Sequence, residues 1–212
     1  MKIELENVLP ADIEKRSFEI IGEELDRMGI TLDKDKEPVI KRAIHTSADF
    51  DYAHNLKFSE GVMEMAIDAI KNGASIVTDT RMALSGINKK NFSKYGGKLY
   101  NFMTDEDVAE IAKKNGTTRA VACMDKAASL EENLIYAIGN APTALVRIRE
   151  LYDDKKIKPL LVIGVPVGFV NVEASKELIM ETDIPYIVAK GRKGGSNIAA
   201  AICNALLLEA GK

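Results

Sequence analysis

The chain has 212 residues, of which 46% are hydrophobic and 29% charged, and its 29 Lys and Arg against 32 Asp and Glu leave a net charge of −3. That balance belongs to a globular protein with a substantial core, and it excludes a disordered or fibrous chain. It also lacks the basic surplus that drives binding to a nucleic-acid backbone, so no nucleic-acid partner is expected.

Met1 to Arg16 mixes Lys2, Glu4, Glu6, Asp12, Glu14 and Lys15 with its apolar residues, so it has no signal-peptide apolar block, and a cytoplasmic location is expected. A first helix is predicted near Pro10 to Met28 with Ile13, Ile20, Ile21, Leu25 and Met28 inward, and a second over Glu37 to Ile44. Together they read as an N-terminal helical cap. From Ser59 onward, β-branched runs alternate with helical-period segments, the pattern of a parallel sheet with crossover helices. Ser59 is expected to cap a helix carrying Val62, Met63, Ala66, Ile67 and Ile70, with Gly73 supplying the left-handed residue at its end. The predicted strands are Ala74 to Asp79, Lys98 to Phe102, Leu134 to Ile138, Leu160 to Val165 and Tyr186 to Ala189. Between the second and third of these, Thr104 is expected to cap a helix that Asp105, Glu106 and Asp107 open and Gly116 closes.

The expected architecture is therefore a doubly wound, mostly parallel five-stranded α/β sheet with helices on both faces and the helical cap, built as one domain over 1–212. The longest apolar run, Leu160 to Val170, contains two Gly and a Pro and falls short of the roughly 18 residues a membrane helix needs, so no membrane span is expected. Cys123 and Cys203 each lie in an apolar helical stretch and read as reduced core residues.

Three strand ends run into glycine-containing turns: Gly139 to Thr143, Gly164 to Phe169, and Gly191 to Ser196. All three should lie on one sheet edge, where backbone N–H groups can approach an anion. The third is the most suggestive because Arg192 and Lys193 add charge, although tight connections use glycine for backbone reasons alone. None follows G-x-G-x-x-G and no G-x-x-x-x-G-K-[ST] occurs, so neither a nicotinamide cofactor nor a nucleoside triphosphate is signalled. No G-x-S-x-G elbow marks a nucleophile, and His45, His54, Cys123 and Cys203 lack metal-ligand spacing, so no protein-bound metal is expected.

His45 lies where the second predicted helix runs out. Arg42 shares its face, and Asp49 would join them if the helix continued for another turn. A histidine beside a carboxylate is suited to general acid catalysis, while a solvated helix end with incidental charges has the same spacing. Arg119 follows Gly116-Thr117-Thr118 at an apparent helix start, where a cation opposes the helix dipole unless an anion binds; a plain surface arginine fits equally.

In order along the chain, Arg16-Ser17-Phe18, Arg42-x-x-His45, Asp79-x-x-Met82-x-x-x-Gly86, Thr118-Arg119, Ala137-Ile138-Gly139-Asn140-Ala141-Pro142-Thr143-Ala144-Leu145, Pro166-Val167-Gly168-Phe169-Val170 and Gly191-Arg192-x-Gly194-Gly195-Ser196 form an ordered set spanning nearly the whole sequence. In this set the chain resembles the precorrin-8X / cobalt-precorrin-8 methylmutase family. The resemblance implies a cofactor-free isomerase of cobalamin biosynthesis that moves a methyl group from carbon 11 to carbon 12 of a corrin-like macrocycle by an acid-assisted 1,5-sigmatropic shift. It implies His45 as the acid, Ser17 and Arg42 as substrate contacts, and a homodimer with substrate near the subunit interface. Arg119 is implied as a carboxylate clamp with family support, and Arg192 on the motif alone. The segment Asp79-Thr80-Arg81-Met82 looks more like the branch that uses the cobalt form of the substrate. The competing reading is a carrier that holds a tetrapyrrole or another polycarboxylate in the same basic cleft without altering it.

Overall fold

The structure is a computed structural model that describes residues 6–212; the first five residues of the stretch read above for an export signal lie outside it. The N-terminal segment forms α1 (Ile13–Arg27), of whose expected inward residues only Ile21 and Leu25 are buried, while Ile13, Ile20 and Met28 are exposed, and α2 (Glu37–Ser47) begins with Pro38 in its first turn, where a missing N–H costs nothing. A short α3 (Tyr52–Asn55) leads into β1 (Leu56–Phe58). There follow α4 (Val62–Lys71), β2 (Ser75–Thr78), α5 (Arg81–Gly86), α6 (Lys89–Phe92), β3 (Leu99–Tyr100), α7 (Glu106–Asn115) and α8 (Arg119–Ala128). The chain closes with β4 (Leu134–Ile138), α9 (Pro142–Asp153), β5 (Leu161–Gly164), α10 (Val172–Met180), β6 (Tyr186–Ala189) and α11 (Ser196–Ala210).

The sheet has six strands in the order β1-β6-β5-β4-β2-β3, all parallel except β1, which pairs antiparallel with β6. The five strands expected from the sequence are all present, and β1 is added to them. It was not legible because a three-residue strand with Lys57 outward is too short to show alternation. Its consequence is positional: Leu56 pairs with Ala189 and the Lys190 N–H donates to the Asn55 carbonyl at 2.8 Å. The end of the helical cap is thereby delivered to the carboxyl end of β6.

The strands are buried on both faces and divide their side chains by alternation. Ile76, Ile135, Ala137, Leu161, Ile163 and Ile187 point into a core shared with α2, α4 and α11, and Val77, Tyr136, Ile138, Val162 and Val188 into one shared with α7 to α10. Helix α11 is buried on most sides between sheet and cap, which explains its predominantly apolar sequence.

Two caps differ from expectation. Ser59 does not cap α4, whose preceding residue is Gly61 at φ 66°; the Ser59 hydroxyl instead accepts the Tyr186 N–H at 3.0 Å and ties the β1–α4 connection to β6. Thr104 does not cap α7 either. That helix starts after Asp105, whose carboxylate is drawn 2.8 Å from Lys126 Nζ on α8. Gly73 does adopt the left-handed conformation, at φ 79°.

Candidate active site

The chain passes from β2 out to β3 and then back to place β4 on the other side of β2, so the strand order reverses between β2 and β4. In open α/β sheets such a reversal opens a crevice at the carboxyl ends of the strands. The three glycine turns all leave this edge, after β4, β5 and β6, and they are stitched together. Val165 N–H donates to the Ile138 carbonyl and Gly195 N–H to the Val165 carbonyl, each at 2.8 Å, and Gly168 N–H to the Arg192 carbonyl at 3.2 Å. Glycine is required at two contacts: a Cβ on Gly139 would lie 2.7 Å from Ser196 Cα, and one on Gly194, at φ 157°, would overlap the Val165 carbonyl oxygen.

The first turn does not offer its N–H groups to a ligand as expected. The Asp79 carboxylate, buried at the end of β2, accepts the N–H of Gly139 at 2.8 Å, of Asn140 at 2.8 Å and of Ala141 at 2.6 Å. The built-in anion fills the start of α9 and bridges the point where the strand order reverses. Burial pushes the Asp79 pKa up and the three N–H donors pull against it. Beside this bridge the Thr80 hydroxyl donates to Ser196 Oγ at 2.7 Å, tying the β2–α5 turn to the start of α11.

His45 lies in the last turn of α2 with its side chain exposed. Its ring stacks on Phe18 of α1 at 5.3 Å between centroids and 19° between planes, and the Arg42 guanidinium carbon lies 4.8 Å from the Phe18 centroid. Arg42 is ion-paired with Glu14 of α1. Phe18 therefore holds both residues in place, a role that the sequence did not reveal because no spacing rule links residues on different helices. Phe18 and Arg42 also line a cleft of about 580 Å³ with Pro38, Ala205 and Leu208. Ser17 is half-buried on α1, with its hydroxyl donating to the Ile13 carbonyl at 2.9 Å.

Asp49 does not join His45. Helix α2 stops at Ser47, because Ala48 turns left-handed at φ 54°. The Asp49 carboxylate lies instead 2.7 Å from Lys193 Nζ, which also holds Asp51 at 2.5 Å. Burial raises the Asp49 pKa, but Lys193 and the Asp51 N–H outweigh it and hold the carboxyl below its usual range. This clamp fixes the loop after His45 to the turn after β6.

Arg119 is the exposed first residue of α8, behind Thr118, whose hydroxyl accepts the Val121 N–H and lies 3.0 Å from that of Thr143 in the first turn of α9. Arg192, exposed in the turn after β6, donates to Glu173 of α10 at 2.8 Å and lies 5.5 Å from the Phe169 centroid. The structure thus unites His45, Arg42 and Phe18 on the cap side. Arg119 and Arg192 stand at the same sheet edge toward α8 and α10. Met82, Val167, Phe169 and Val170 are exposed along this edge, an apolar rim among the basic groups. Cys123 and Cys203 are buried thiols on separate helices, and burial raises their pKa to about 11 and about 12. Among the described residues no group of three or more His, Cys, Asp or Glu is placed to hold a metal ion, and no helix is long and apolar enough to cross a membrane.

Residues 12–209 match the family model described as precorrin-8X methylmutase. A cobalt-precorrin-8 methylmutase of Leptospira interrogans is 46% identical over 96% of this chain and 96% of its own length, and one of Salmonella typhimurium is 43% identical over 93% and 94%. The crystal structure of a precorrin-8X methylmutase from Thermus thermophilus superposes with a TM-score of 0.85 at 36% identity, covering 94% of this chain and 98% of that one. With the whole α/β framework and nearly its whole length matched, the chain belongs to the precorrin-8X / cobalt-precorrin-8 methylmutase family, isomerases of cobalamin biosynthesis that act on a corrinoid substrate.

Proposed function

We propose that the chain moves the methyl group of its substrate from carbon 11 to carbon 12 by an acid-assisted 1,5-sigmatropic shift with His45 as the acid. The bond from carbon 11 to the methyl group breaks as the bond to carbon 12 forms, the conjugated system shifts by the same electrons, and the proton lent by the imidazole returns to it. No cofactor is consumed. The observation that carries this reading is the exposed His45 ring held flat on Phe18 beside Arg42, at the end of α2 that the Asp49–Lys193 ion pair ties to the turn after β6, the sheet edge where the other basic groups gather. Histidine is the side chain that ordinarily exchanges a proton near neutral pH, and a positioned acid contributes about 10²–10⁴-fold.

Ser17 and Arg42 contact the substrate from the cap, and Arg119 and Arg192 bind its carboxylate arms, since guanidinium pairs with carboxylate in a bidentate fork. The apolar rim of Met82, Phe169 and Val170 suits the face of the macrocycle. The substrate is the cobalt form, a reading supported by the names of the two relatives at 46% and 43% identity. The chain works as one domain in the cytoplasm and as a homodimer. Leu9, Ile13 and Ile20 on and before α1 and Leu208 on α11 remain exposed in the single chain, which favours a covering partner.

The test is to incubate wild type and His45→Ala with precorrin-8 and with its cobalt form while following the visible spectrum. Conversion by wild type, slowed about 10²–10⁴-fold in the variant with binding retained, is expected. Equal conversion by both would remove His45 from the chemistry, and binding without conversion by either would fit the carrier.

A further inference from the structure

Among the described residues two charged side chains are buried, Asp79 and Lys176. Both spend their hydrogen bonds on the backbone of the turns at the site edge. Asp79 is the bridge described above. Lys176 projects from α10, is 0% exposed, and donates from Nζ to the carbonyls of Gly191 at 2.7 Å and Lys193 at 2.8 Å. An ammonium in this position is costly to bury, and an apolar side chain would fill the space more cheaply. What the ammonium supplies is a donor to two carbonyls that the turn, with Gly191 at φ 83°, directs inward.

Those two carbonyls flank Arg192. The backbone of Arg192 is therefore pinned on both sides from below, while its guanidinium rests at the surface on Glu173, one turn before Lys176 on the same helix. The side chains of Arg192 and Glu173 are 62% and 52% exposed, so their ion pair is weak and easily exchanged. A fixed base with an exchangeable head is the geometry of a clamp that closes by side-chain rotation alone.

We propose that Lys176 is a positioning residue for Arg192, and that Glu173 is the resting partner which a substrate carboxylate displaces. The inference rests on the methylmutase reading and on Arg192 as a carboxylate clamp. A substrate carboxylate arriving at the turn takes the guanidinium from Glu173, and because the strap from Gly191 to Lys193 is already ordered, no loop entropy is lost in the exchange. Phe169, beside the guanidinium, keeps the head near the turn during the transfer.

The experiment is a kinetic double-mutant cycle on the full chain, with turnover of the cobalt-form substrate followed by its visible spectrum and folding checked by circular dichroism. Lys176→Met should raise KM on the order of ten-fold while kcat moves by about two-fold or less, and this KM effect should disappear in an Arg192→Gln background. Glu173→Gln should lower KM by roughly two- to five-fold at low salt and lose its effect as salt is added. A KM effect of Lys176→Met that persists at full size without Arg192, or a kcat loss as large as the KM rise, would overturn the proposal. If Lys176→Met fails to fold, Lys176→Gln, which retains a two-donor head, is measured in the same cycle and should show a smaller KM effect with the same dependence on Arg192. Absence of turnover by wild type would strike the methylmutase reading itself, an outcome distinct from a failed cycle in an active enzyme.

Discussion

Asp79→Asn tests whether the reversal point of the sheet is held by a carboxylate. In the native protein Oδ1 accepts one N–H, from Gly139, and Oδ2 accepts two, from Asn140 and Ala141. An amide oxygen in the Oδ2 position keeps two of these bonds as neutral ones, and its NH2 then faces the Gly139 N–H donor to donor. Losing charge assistance on two bonds costs about 1 kcal/mol each, and an orphaned buried donor about 1–3 kcal/mol. Burial works in the opposite direction: it raises the Asp79 pKa against the three donors, so a neutral side chain recovers part of the desolvation cost. Because burial outweighs the three donors in setting that pKa, the charge-assistance terms are offset and the expected net loss is that of the orphaned donor, about 1–3 kcal/mol, read as a lower urea midpoint at pH 7 with unchanged slope. Asp79→Ala, which orphans all three donors, should lose more. If Asp79→Asn unfolds at the wild-type midpoint, desolvation balances the three bonds and the bridge contributes nothing to stability.

Phe18→Leu removes the stack under His45 and the contact with Arg42, worth about 0.5–1.5 kcal/mol together, so kcat should fall roughly three- to ten-fold with little change in the unfolding midpoint; unchanged kcat would show that Phe18 does not orient the acid. Asp49→Asn should leave the acid limb of the pH–rate profile in place, because its carboxylate is engaged by Lys193, and a shifted limb would show direct coupling to His45. Glu132, hydrogen-bonded by Lys98, Ser75 and Tyr100, has its pKa lowered from 4.5 to about 2, with Lys98 the largest cause. Its folded pKa lies below its unfolded one, so its stabilising effect is complete above about pH 4.5 and is lost as pH falls toward 2. Glu132→Gln should flatten the stability curve across that window, and an identical curve would dissociate Glu132 from acid unfolding.

The parallel sheet was legible because each long strand is buried on both faces and reads as a continuous apolar run between turn residues; Leu134–Ile138 and Tyr186–Ala189 have the bounds their sequences predict. The ordered motifs were legible too, since a family resemblance is carried by residue identity alone. The caps of α4 and α7 were not: the Ser59 hydroxyl accepts the Tyr186 N–H of another element, and α7 begins one residue later than expected, after Asp105, whose carboxylate goes to Lys126. Sequence alone thus determined the α/β class, the glycine turns on one edge and His45 beside Arg42 on one helix face. Only the tertiary structure decided that Phe18 packs against both of those, that Asp49 turns away to Lys193, and that Asp79 and Lys176 fill the turns from within. The physical reason is range: periodicity and capping act within a turn or two of chain, whereas buried charges and stacked rings choose partners by distance in space, and the hydrogen-bond partners of Lys176 and Asp79 are 15 to 62 residues away in sequence.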